Sequence, residues 1–541
     1  MSTEFFGKSL SGPFTIPSGI VSTAVPIIQY LFDHVPEVGV LTTKSIGLEP
    51  RTGYREPVLS QYAPGCFVNA VGLTNPGAHQ SRETMAQLRI PEDRFLLTSI
   101  FGGSIAEFVE VAQILAPVSD GLELNLSCPH AKGYGMAMGQ DPEMVQEIVA
   151  AVKAVVDIPV IPKLTPNTPD ITLIARAAEA GGADGFCAIN TLGPGYTSAH
   201  GHPVLSNGAG GLSGKGVLPI GLKCVREVAS VSDLPIIGCG GASSADDVRA
   251  FLDAGATVVG IGSALVGLTT GEIGAYFWTL GADLDQGSNK AESHVRYDID
   301  MTFRPVSLVE NKRICEDIAL LTFDRKINVQ AGEFIFLWIP GLGEKPFSAL
   351  TDDPFSLVVI DVGEFTHALM DLPAGTEAYV RGPHGIPVAP PEDARIMAVA
   401  GGTGLAAVYQ IARDFGRAEI FAGARAAERL YSLEECRQVA EVHVATDDGS
   451  AGYHGVVTEL LRERLQAMSQ EERDQLIFYN CGPAPMVHAA IAVQREFCAP
   501  GQIYSAIDYL TKCGVGLCGA CAAPDGQRLC VDGPFLQDHS T

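Results

Sequence analysis

Short apolar runs alternate with amphipathic stretches over the first 285 residues of the chain. The runs have the length and composition of buried strands, and intervening stretches such as PEMVQEIVAAVKAVV and SADDVRAFLDAG have the spacing of helices. The runs are FTIPSGI, VGVLTTK, FLLTSIFG, GLELNLSCP, IPVIPKLTP, GFCAIN, LPIIGCGG and TVVGIGSAL. Eight such units in succession predict an α/β fold, a parallel (β/α)8 TIM barrel over residues 1–285.

Polar residues and glycines follow these runs. In a (β/α)8 barrel the chemistry lies at the carboxyl ends of the strands. The residues predicted at those ends are Ser18, Lys44, Asn125, Cys128, Lys163, Asn190, Gly240, Gly241, Gly262 and Ser263. The pattern therefore predicts a functional site at one end of the barrel.

The pattern changes after residue 285. A polar stretch over residues 286–300 predicts a linker. Residues 301–390 offer strands with few helices, such as ALLTFD and EFIFLWIP, which predicts a small antiparallel β-barrel. Residues 391–500 combine strands, a glycine turn and helices, which predicts a parallel α/β domain, and residues 501–541 form a cysteine-rich closing segment.

Charge and hydropathy narrow the classes of partner. The net charge of −26 and the pI of about 4.8 argue against nucleic acid or an anionic membrane surface as a partner. The start of the chain lacks a basic region followed by an apolar run, and no uninterrupted apolar stretch approaches the roughly 18 residues of a membrane helix. We therefore expect a cytoplasmic protein, in which scattered cysteines such as those of GFCAIN and IIGCGG are reduced, buried thiols.

Four cysteines near the end of the chain have a distinctive spacing. Cys513, Cys518 and Cys521 form Cys-x4-Cys-x2-Cys, and Cys530 follows after eight intervening residues. This is the spacing of a plant-type [2Fe-2S] loop, in which glycines let the backbone wrap the cluster. Four thiolates in two pairs could instead hold zinc, but the x4 spacing and the glycines favour iron.

The second half of the chain resembles the electron-transfer subunit of NAD-linked dihydroorotate dehydrogenase B, a member of the ferredoxin-reductase superfamily. The resemblance rests on KPFS, VRGPHG, AGGTGLA, NCGPAPM and TDDGSAGYHGVVT, in this order before the cysteine loop. KPFS departs from the family's Arg-x-Tyr-Ser motif at its first and third positions. The resemblance implies an FAD site with Lys345, Phe347, Ser348, Gly382 and Gly385. It also implies an NAD site with Gly401, Gly402, Thr403, Gly404, Cys481 and Gly482.

The first half resembles the catalytic subunit of the same family, and also the pyrimidine-reducing domain of dihydropyrimidine dehydrogenase. NAVGLTNPG, NLSCPH and INTLGPG carry the likeness. The resemblance implies that FMN accepts a hydride from one face of a dihydropyrimidine while a base removes a proton from the other. Cys128 is the predicted base, and since a free thiol with a pKa of about 8.5 is only partly ionised at neutral pH, its neighbours must assist it. Cys128 as a small buried filler is the alternative interpretation.

The remaining site residues follow from pyrimidine chemistry and from the resemblance. A primary amide offers one donor and one acceptor, so asparagines can read the edge of a pyrimidine dione. The predicted substrate-binding residues are Lys44, Asn69, Gly72, Leu73, Asn125, Asn190 and Thr191. The predicted FMN-binding residues are Ser18, Gly19, Lys44, Ser45, Asn125, Lys163, Gly214, Gly240, Gly241, Gly262 and Ser263. Lys163 would lie near flavin N1 and O2, where a positive charge favours the reduced flavin; both lysines could instead be solvated rim residues.

One departure leaves the substrate open. His130 stands where comparable dihydroorotate dehydrogenases carry asparagine and dihydropyrimidine dehydrogenases carry histidine, and it could relay the proton of Cys128 or replace the amide. NAVGLTNPG is the orotate type of loop, so we expect oxidation of dihydroorotate by way of FMN, the [2Fe-2S] cluster, FAD and NAD. The alternatives are an NADH-dependent reductase of uracil, thymine or a related substrate, and an electron-transfer protein with a non-catalytic barrel. Fusion of the two halves fixes their ratio at one to one, and family analogy suggests a homodimer.

Overall fold

The computed structural model describes residues 3–126, 136–507 and 510–539. The chain divides into two compact units. The first comprises Met1–Met301 and Val515–Arg528, and the second comprises Thr302–Gly514 and Leu529–Thr541. The segment predicted as a linker contains a short helix, Lys290–His294, and belongs to the first unit. The cysteine-rich segment is shared between the two units.

The first unit contains the predicted eight-stranded parallel barrel, which is confirmed. In chain order its strands are Phe14–Ile16, Val38–Thr42, Phe95–Ile100, Gly121–Asn125, Val160–Leu164, Phe186–Ala188, Ile236–Cys239 and Val258–Gly260. Each strand pairs with the next, and the last pairs with the first. The helices are Val25–His34, Ala78–Met85, Ile105–Leu115, Met136–Gly139, Pro142–Lys153, Ile171–Ala180, Leu218–Ala229, Ala245–Asp253 and Thr270–Gln286.

Local capping signals explain where several of these helices begin. Asp141 and Asp170 accept hydrogen bonds from the first-turn amides of their helices. Ser244 and Thr269 form capping boxes with an acidic residue three positions later. The apolar faces of these helices pack on the strands, with Phe14, Phe186, Phe251 and their neighbours fully buried.

A four-stranded antiparallel sheet is inserted into the loops of the barrel. Its order is Leu192–Gly195, Gly210–Gly214, Cys66–Asn69 and Leu59–Ala63. It is built from the loops that follow the second and sixth barrel strands, so it lies at the carboxyl ends of the strands. Two short hairpins complete the unit, Thr3–Phe5 with Lys8–Leu10 and Ser198–Ala199 with His202–Pro203.

The second unit contains two seven-stranded sheets. The antiparallel sheet has the order Gly343–Phe347, Phe334–Ile339, Glu377–His384, Arg304–Cys315, Ile318–Phe323, Phe355–Ile360 and Ala349–Asp352, with helix Glu364–Met370 beside it. The other sheet has the order Tyr453–His454, Ala440–Thr446, Ala418–Ala424, Arg395–Gly401, Leu476–Cys481, Ile503–Ala506 and Leu536–Gln537. The last of these strands is antiparallel to its neighbour and the others are parallel. The helices are Gly404–Phe415, Leu433–Val439, Val457–Ala467, Gln470–Asp474, Ala484–Arg495 and Leu529–Asp532.

Among the described residues, no helix combines the length and apolarity that crossing a membrane requires. Cys187 and Cys239, two of the scattered cysteines, are free and buried, with their sulfur atoms 3.9 Å apart.

A buried carboxylate ties together the amino ends of the parallel strands in the second unit. Glu419 accepts two hydrogen bonds from Arg464, at 2.9 and 3.0 Å, and one from Arg395 at 2.9 Å. Nε2 of His443 lies 3.4 Å from the same carboxylate. The nearby His443 ring and the two hydrogen bonds from Arg464 hold the pKa of Glu419 at about 2, below its ordinary value.

We expect Glu419→Gln to destabilise the second unit by about 2 kcal/mol at neutral pH, because it removes charge-assisted hydrogen bonds. The pKa of Glu419 is about 2 in the folded protein and 4.5 ordinarily, so its contribution is complete above 4.5 and is lost as the pH falls toward 2. The variant should therefore lose less stability than the parent on acidification from about pH 5 to about pH 3. Calorimetry at several pH values measures this. Glu434→Gln, which breaks an exposed ion pair with Arg437, is the control, and parallel acid profiles for parent and Glu419→Gln would contradict the prediction.

Candidate functional site

A chain of side-chain hydrogen bonds connects the carboxyl ends of the barrel strands. Ser18 and Ser45 are 3.1 Å apart between their hydroxyl oxygens, and the Asn125 amide donates to Ser45 at 2.9 Å. The side-chain amide nitrogen of Asn190 donates to the side-chain oxygen Oδ1 of Asn125 at 3.3 Å. These residues follow four different strands, so the barrel brings together side chains that are up to 172 residues apart in sequence, from 18 to 190. The network provides adjacent hydroxyl and amide groups for a planar polar ligand.

Lys163 lies deeper in the barrel, next to an acid that the sequence analysis did not single out. Its ammonium is 3.6 Å from Oε2 of Glu123, and the side chains are 6% and 1% exposed. Burial works against the charge, but the Glu123 carboxylate outweighs it and raises the pKa of Lys163 above its ordinary value. Lys163 is therefore a buried residue beside a carboxylate that favours its charged form, and the interpretation as a solvated rim residue is wrong.

We expect Glu123→Gln to destabilise the barrel by about 3 to 5 kcal/mol, because the buried Lys163 ammonium loses the carboxylate beside it. Native-state hydrogen exchange of the barrel-strand amides measures the loss. Glu227→Gln is the matched control, since Glu227 pairs with Lys223 at an exposed position where about 0.5 kcal/mol is expected. Equal exchange rates in the two variants would contradict the account.

The loop over residues 69–77 has an uncommon backbone. Leu73 has a φ of +58° although it is not glycine, and Gly72 has a φ of +83°. A Cβ atom on Gly72 would lie 2.6 Å from the backbone nitrogen of Tyr54, so the close approach requires glycine here. Asn69 lies at the end of its strand and donates to the carbonyl of Gly211 at 3.3 Å. Such a strained loop is typical of a ligand-binding segment.

Thr191 is held by its neighbours rather than through its own side chain. Its amide donates to Asn190 at 2.8 Å, and its carbonyl accepts from Asn167 at 3.1 Å. Asn167 also accepts from the amide of Gly193 at 2.8 Å, so it orders the loop that carries Asn190 and Thr191. Two residues that the sequence patterns did not single out are Asn167 and Ser99, which contacts Ser45 at 2.9 Å. Asn167 follows the predicted strand IPVIPKLTP, and Ser99 lies within FLLTSIFG.

A glycine that ends a strand of the inserted sheet and one that follows the seventh barrel strand form a close backbone contact. Gly214 and Gly241 have φ values of +98° and +86°. A Cβ atom on Gly241 would lie 2.5 Å from the carbonyl oxygen of Gly214. Gly240 is next to this contact, while Gly262 and Ser263 begin the short helix Ser263–Leu265 after the last strand. Glycines, which have no side chain to obstruct a ligand, and a helix amino terminus at this place suit a phosphate group.

Gly19 and Lys44 are two further predicted residues that the structure describes. A Cβ atom on Gly19 would lie 3.0 Å from the ammonium of Lys44, so these two residues adjoin. Cys128 and His130, the predicted base and its neighbour, lie outside the described residues.

The predicted FAD residues lie in the antiparallel sheet of the second unit. Lys345 and Phe347 are on the edge strand Gly343–Phe347, and Ser348 follows it. Gly382 lies within Glu377–His384 and Gly385 immediately follows that strand. Both strands pair with Phe334–Ile339, one on each side, so the two motifs flank a common strand.

The predicted NAD residues meet at the carboxyl ends of adjacent parallel strands. Gly401 ends one strand, and Gly402 and Thr403 lead into helix Gly404–Phe415. A Cβ atom on Gly404 would lie 2.0 Å from the carbonyl oxygen of Cys481. Gly482 approaches Gly401 in the same way, at 2.8 Å. The two motifs therefore pack backbone to backbone at a helix amino terminus, where a pyrophosphate is favoured.

The four cysteines of the loop are divided between the units. Cys518 and Cys521 belong to Val515–Arg528 of the first unit, and Cys513 and Cys530 belong to the second. In the first unit, the carbonyl of Cys518 accepts a hydrogen bond from the hydroxyl of Thr23 at 2.5 Å. Four cysteines with this spacing, three buried and one half-buried, match the spacing of an iron-sulfur ligand set.

Comparisons with known proteins cover most of the chain. Residues 1–270 match the family model Dihydroorotate dehydrogenase, residues 398–491 match Oxidoreductase NAD-binding domain, and residues 510–540 match Iron-sulfur cluster binding domain of dihydroorotate dehydrogenase B. The catalytic subunit of dihydroorotate dehydrogenase B (NAD(+)) from Pyrococcus horikoshii is 46% identical over 266 residues, which is 49% of this chain and 86% of the relative. The same subunit from Methanosarcina mazei is 43% identical over 261 residues, 48% of this chain and 82% of the relative.

A solved structure of an NADH-dependent reduced ferredoxin-NADP oxidoreductase is 27% identical and covers 43% of this chain and 87% of its own. Its TM-score of 0.39 is too low to support an argument.

Proposed function

Because the chain belongs to the dihydroorotate dehydrogenase family, we propose that it oxidises dihydroorotate to orotate in pyrimidine biosynthesis and passes the electrons to NAD. The observation that carries the proposal is the presence of three parts in one polypeptide: the dehydrogenase barrel, the iron-sulfur segment and the NAD-binding domain. When bound, FMN supplies a hydride acceptor, the [2Fe-2S] cluster supplies one-electron transfer, and FAD supplies a hydride donor for NAD.

In the barrel, Cys128 is the proposed base that removes the C5 proton of dihydroorotate, with His130 beside it in sequence to share that proton. Asn69, Asn125 and Asn190 are proposed to read the donors and acceptors of the ring. Asn125 and Asn190 are already joined by a hydrogen bond, so their amides are oriented before the substrate enters. This preorganisation favours one pose of the planar ring.

Two lysines complete the proposed barrel site. The buried charge of Lys163, maintained by Glu123, favours a reduced, anionic flavin ring. Lys44 is proposed to contact both substrate and flavin, and the amides of Gly72 and Leu73 to receive the substrate carboxylate. Ser18, Gly19 and Ser45 are proposed to contact the flavin, and Gly214, Gly240, Gly241, Gly262 and Ser263 its phosphate.

In the second unit, Lys345, Phe347 and Ser348, with Gly382 and Gly385, are the proposed FAD contacts. The segments around Gly401 and Cys481 are the proposed NAD contacts. Cys513, Cys518, Cys521 and Cys530 are the proposed ligands of the cluster. We also propose a cytoplasmic location and, by analogy with the family, a homodimer.

The carboxylate of the substrate offers the sharpest test of function. We expect kcat/KM for NAD-linked oxidation of dihydroorotate to exceed that of dihydrouracil by about 10³-fold or more. Dihydrouracil lacks the carboxylate, so the loop proposed to bind that group would be left without a ligand. Steady-state NADH formation with each substrate measures this ratio. Equal oxidation of dihydroorotate and dihydrouracil would favour a pyrimidine reductase, the alternative suggested by His130. Faster reduction of uracil by NADH than oxidation of dihydroorotate would favour it as well.

A further inference from the structure

One short segment of the second unit, residues 381–386, contacts the chain on both flanks of the cysteine loop. Arg381, at its start, is 1% exposed, and its guanidinium donates to the backbone carbonyl of Cys513 at 3.0 Å. The amide of Ile386, at its end, donates to the carbonyl of Gly533 at 2.6 Å. Cys513 and Gly533 lie on either side of the loop that holds the other three cysteines.

Arg381 is held in a single orientation by three side chains. Nε and Nη2 donate to the two carboxylate oxygens of Glu344, at 2.5 and 3.0 Å, and Glu344 is itself 1% exposed. Nη1 lies 3.1 Å from Nε2 of His384, and the guanidinium carbon lies 3.9 Å from the centre of the Phe336 ring. With Nε and Nη2 paired to Glu344, Nη1 is the nitrogen that reaches both His384 and the carbonyl of Cys513.

The backbone after Cys513 is fitted closely to this arrangement. Gly514 has a φ of +78°, and a Cβ atom there would lie 2.6 Å from the Phe336 ring and 3.1 Å from Nη1 of Arg381. The other flank is equally close, since a Cβ atom on Gly385 would lie 2.8 Å from the carbonyl oxygen of Gly533. The contacts therefore fix main-chain atoms, and they need no particular side chain on the loop.

A buried ion pair of this kind contributes little net folding stability, because desolvation of the two charges offsets most of their Coulomb energy. Its distinctive feature here is its direction, with the positive group facing the first cysteine and the carboxylate on the far side of the guanidinium. Net charge and hydrogen bonds around a cluster set its reduction potential. A cation facing this main chain favours the reduced cluster.

We propose that Arg381, oriented by Glu344, is a positioning residue for the iron-sulfur cluster, fixing the main chain of Cys513 and raising the cluster's reduction potential. The proposal rests on the proposed function only in assigning Cys513 as a cluster ligand. It also links the flavin-side motif VRGPHG to the cluster, since Arg381 immediately precedes Gly382.

The test is the paired substitution Glu344→Gln with Arg381→Met in the full-length holoprotein, which removes both charges and preserves approximate shape. We expect the EPR spectrum of the dithionite-reduced cluster to change and its midpoint potential to fall, with iron per FAD reduced about twofold or more. Arg313→Met with Asp371→Asn is the matched control. It removes an exposed ion pair from the same sheet, 2.8 Å long, and should leave iron, spectrum and potential unchanged.

A second variant covers the case in which the paired substitution fails to fold. Arg381→Lys keeps the charge opposite Glu344 but loses the bidentate geometry, so it should retain FAD and partly restore the potential. Unchanged spectrum, potential and iron content in both variants would overturn the proposal. Absence of a [2Fe-2S] signal from the parent protein would instead refute the assigned cluster and hence the proposed function.

Discussion

Replacing Cys128 by alanine is expected to slow dihydroorotate oxidation by about 10² to 10⁴-fold, the usual contribution of a positioned general base. Binding of dihydroorotate should change little, since the amides of Asn125 and Asn190 remain in place. Cys128→Ser should lie between parent and alanine and should gain more from alkaline conditions, because a hydroxyl is a weaker acid than a thiol. The rate of flavin bleaching after anaerobic mixing with dihydroorotate measures substrate oxidation in the parent and in each variant.

Cys224→Ala is the matched control for this prediction. Cys224 is a buried cysteine of the first unit that lies on helix Leu218–Ala229, away from the carboxyl ends of the strands. Its replacement should leave the rate of flavin reduction unaltered. Full turnover by Cys128→Ala would eliminate Cys128 as the base and leave the argument for the cluster untouched.

Replacing Cys521 by serine is expected to separate the two halves of the reaction. Loss of one of four thiolate ligands removes or disrupts the cluster, so NADH formation from dihydroorotate should fall by about 10²-fold or more. Dihydroorotate should still bleach the FMN, and NADH should still bleach the FAD. Iron analysis, together with the two half-reactions, measures the separation.

Cys498→Ser provides the comparison, because Cys498 is a half-buried free cysteine of the second unit outside the loop. It should retain parental iron and parental NADH formation. Parental NADH formation by Cys521→Ser would mean that the electrons do not pass through a cluster held by this cysteine.

Periodicity predicted the barrel well because each strand and each helix is a local pattern. All eight apolar runs contain a barrel strand, from Phe14–Ile16 to Val258–Gly260. The carboxyl-end rule then placed Ser18, Asn125, Lys163 and Asn190 at the correct end of the barrel, because that rule depends on topology alone.

Contacts between distant residues were beyond such patterns. Glu123 looked like one more residue of an apolar strand, and its role depends on Lys163 of the next strand. Arg381 and Cys513 are 132 residues apart, and nothing in VRGPHG indicates that the arginine turns toward the cysteine loop. The inserted sheet that pairs Cys66–Asn69 with Gly210–Gly214 is equally nonlocal, since its strands come from two separate loops.

The most direct test of the account is anaerobic stopped-flow spectroscopy of the cofactor-replete protein, mixed first with dihydroorotate and then with NAD. The account predicts rapid bleaching of the flavin bands by dihydroorotate, followed by formation of NADH when NAD is added. Flavins that stay oxidised with dihydroorotate but are bleached by NADH would contradict it. That result would mean that the barrel acts on a substrate other than dihydroorotate.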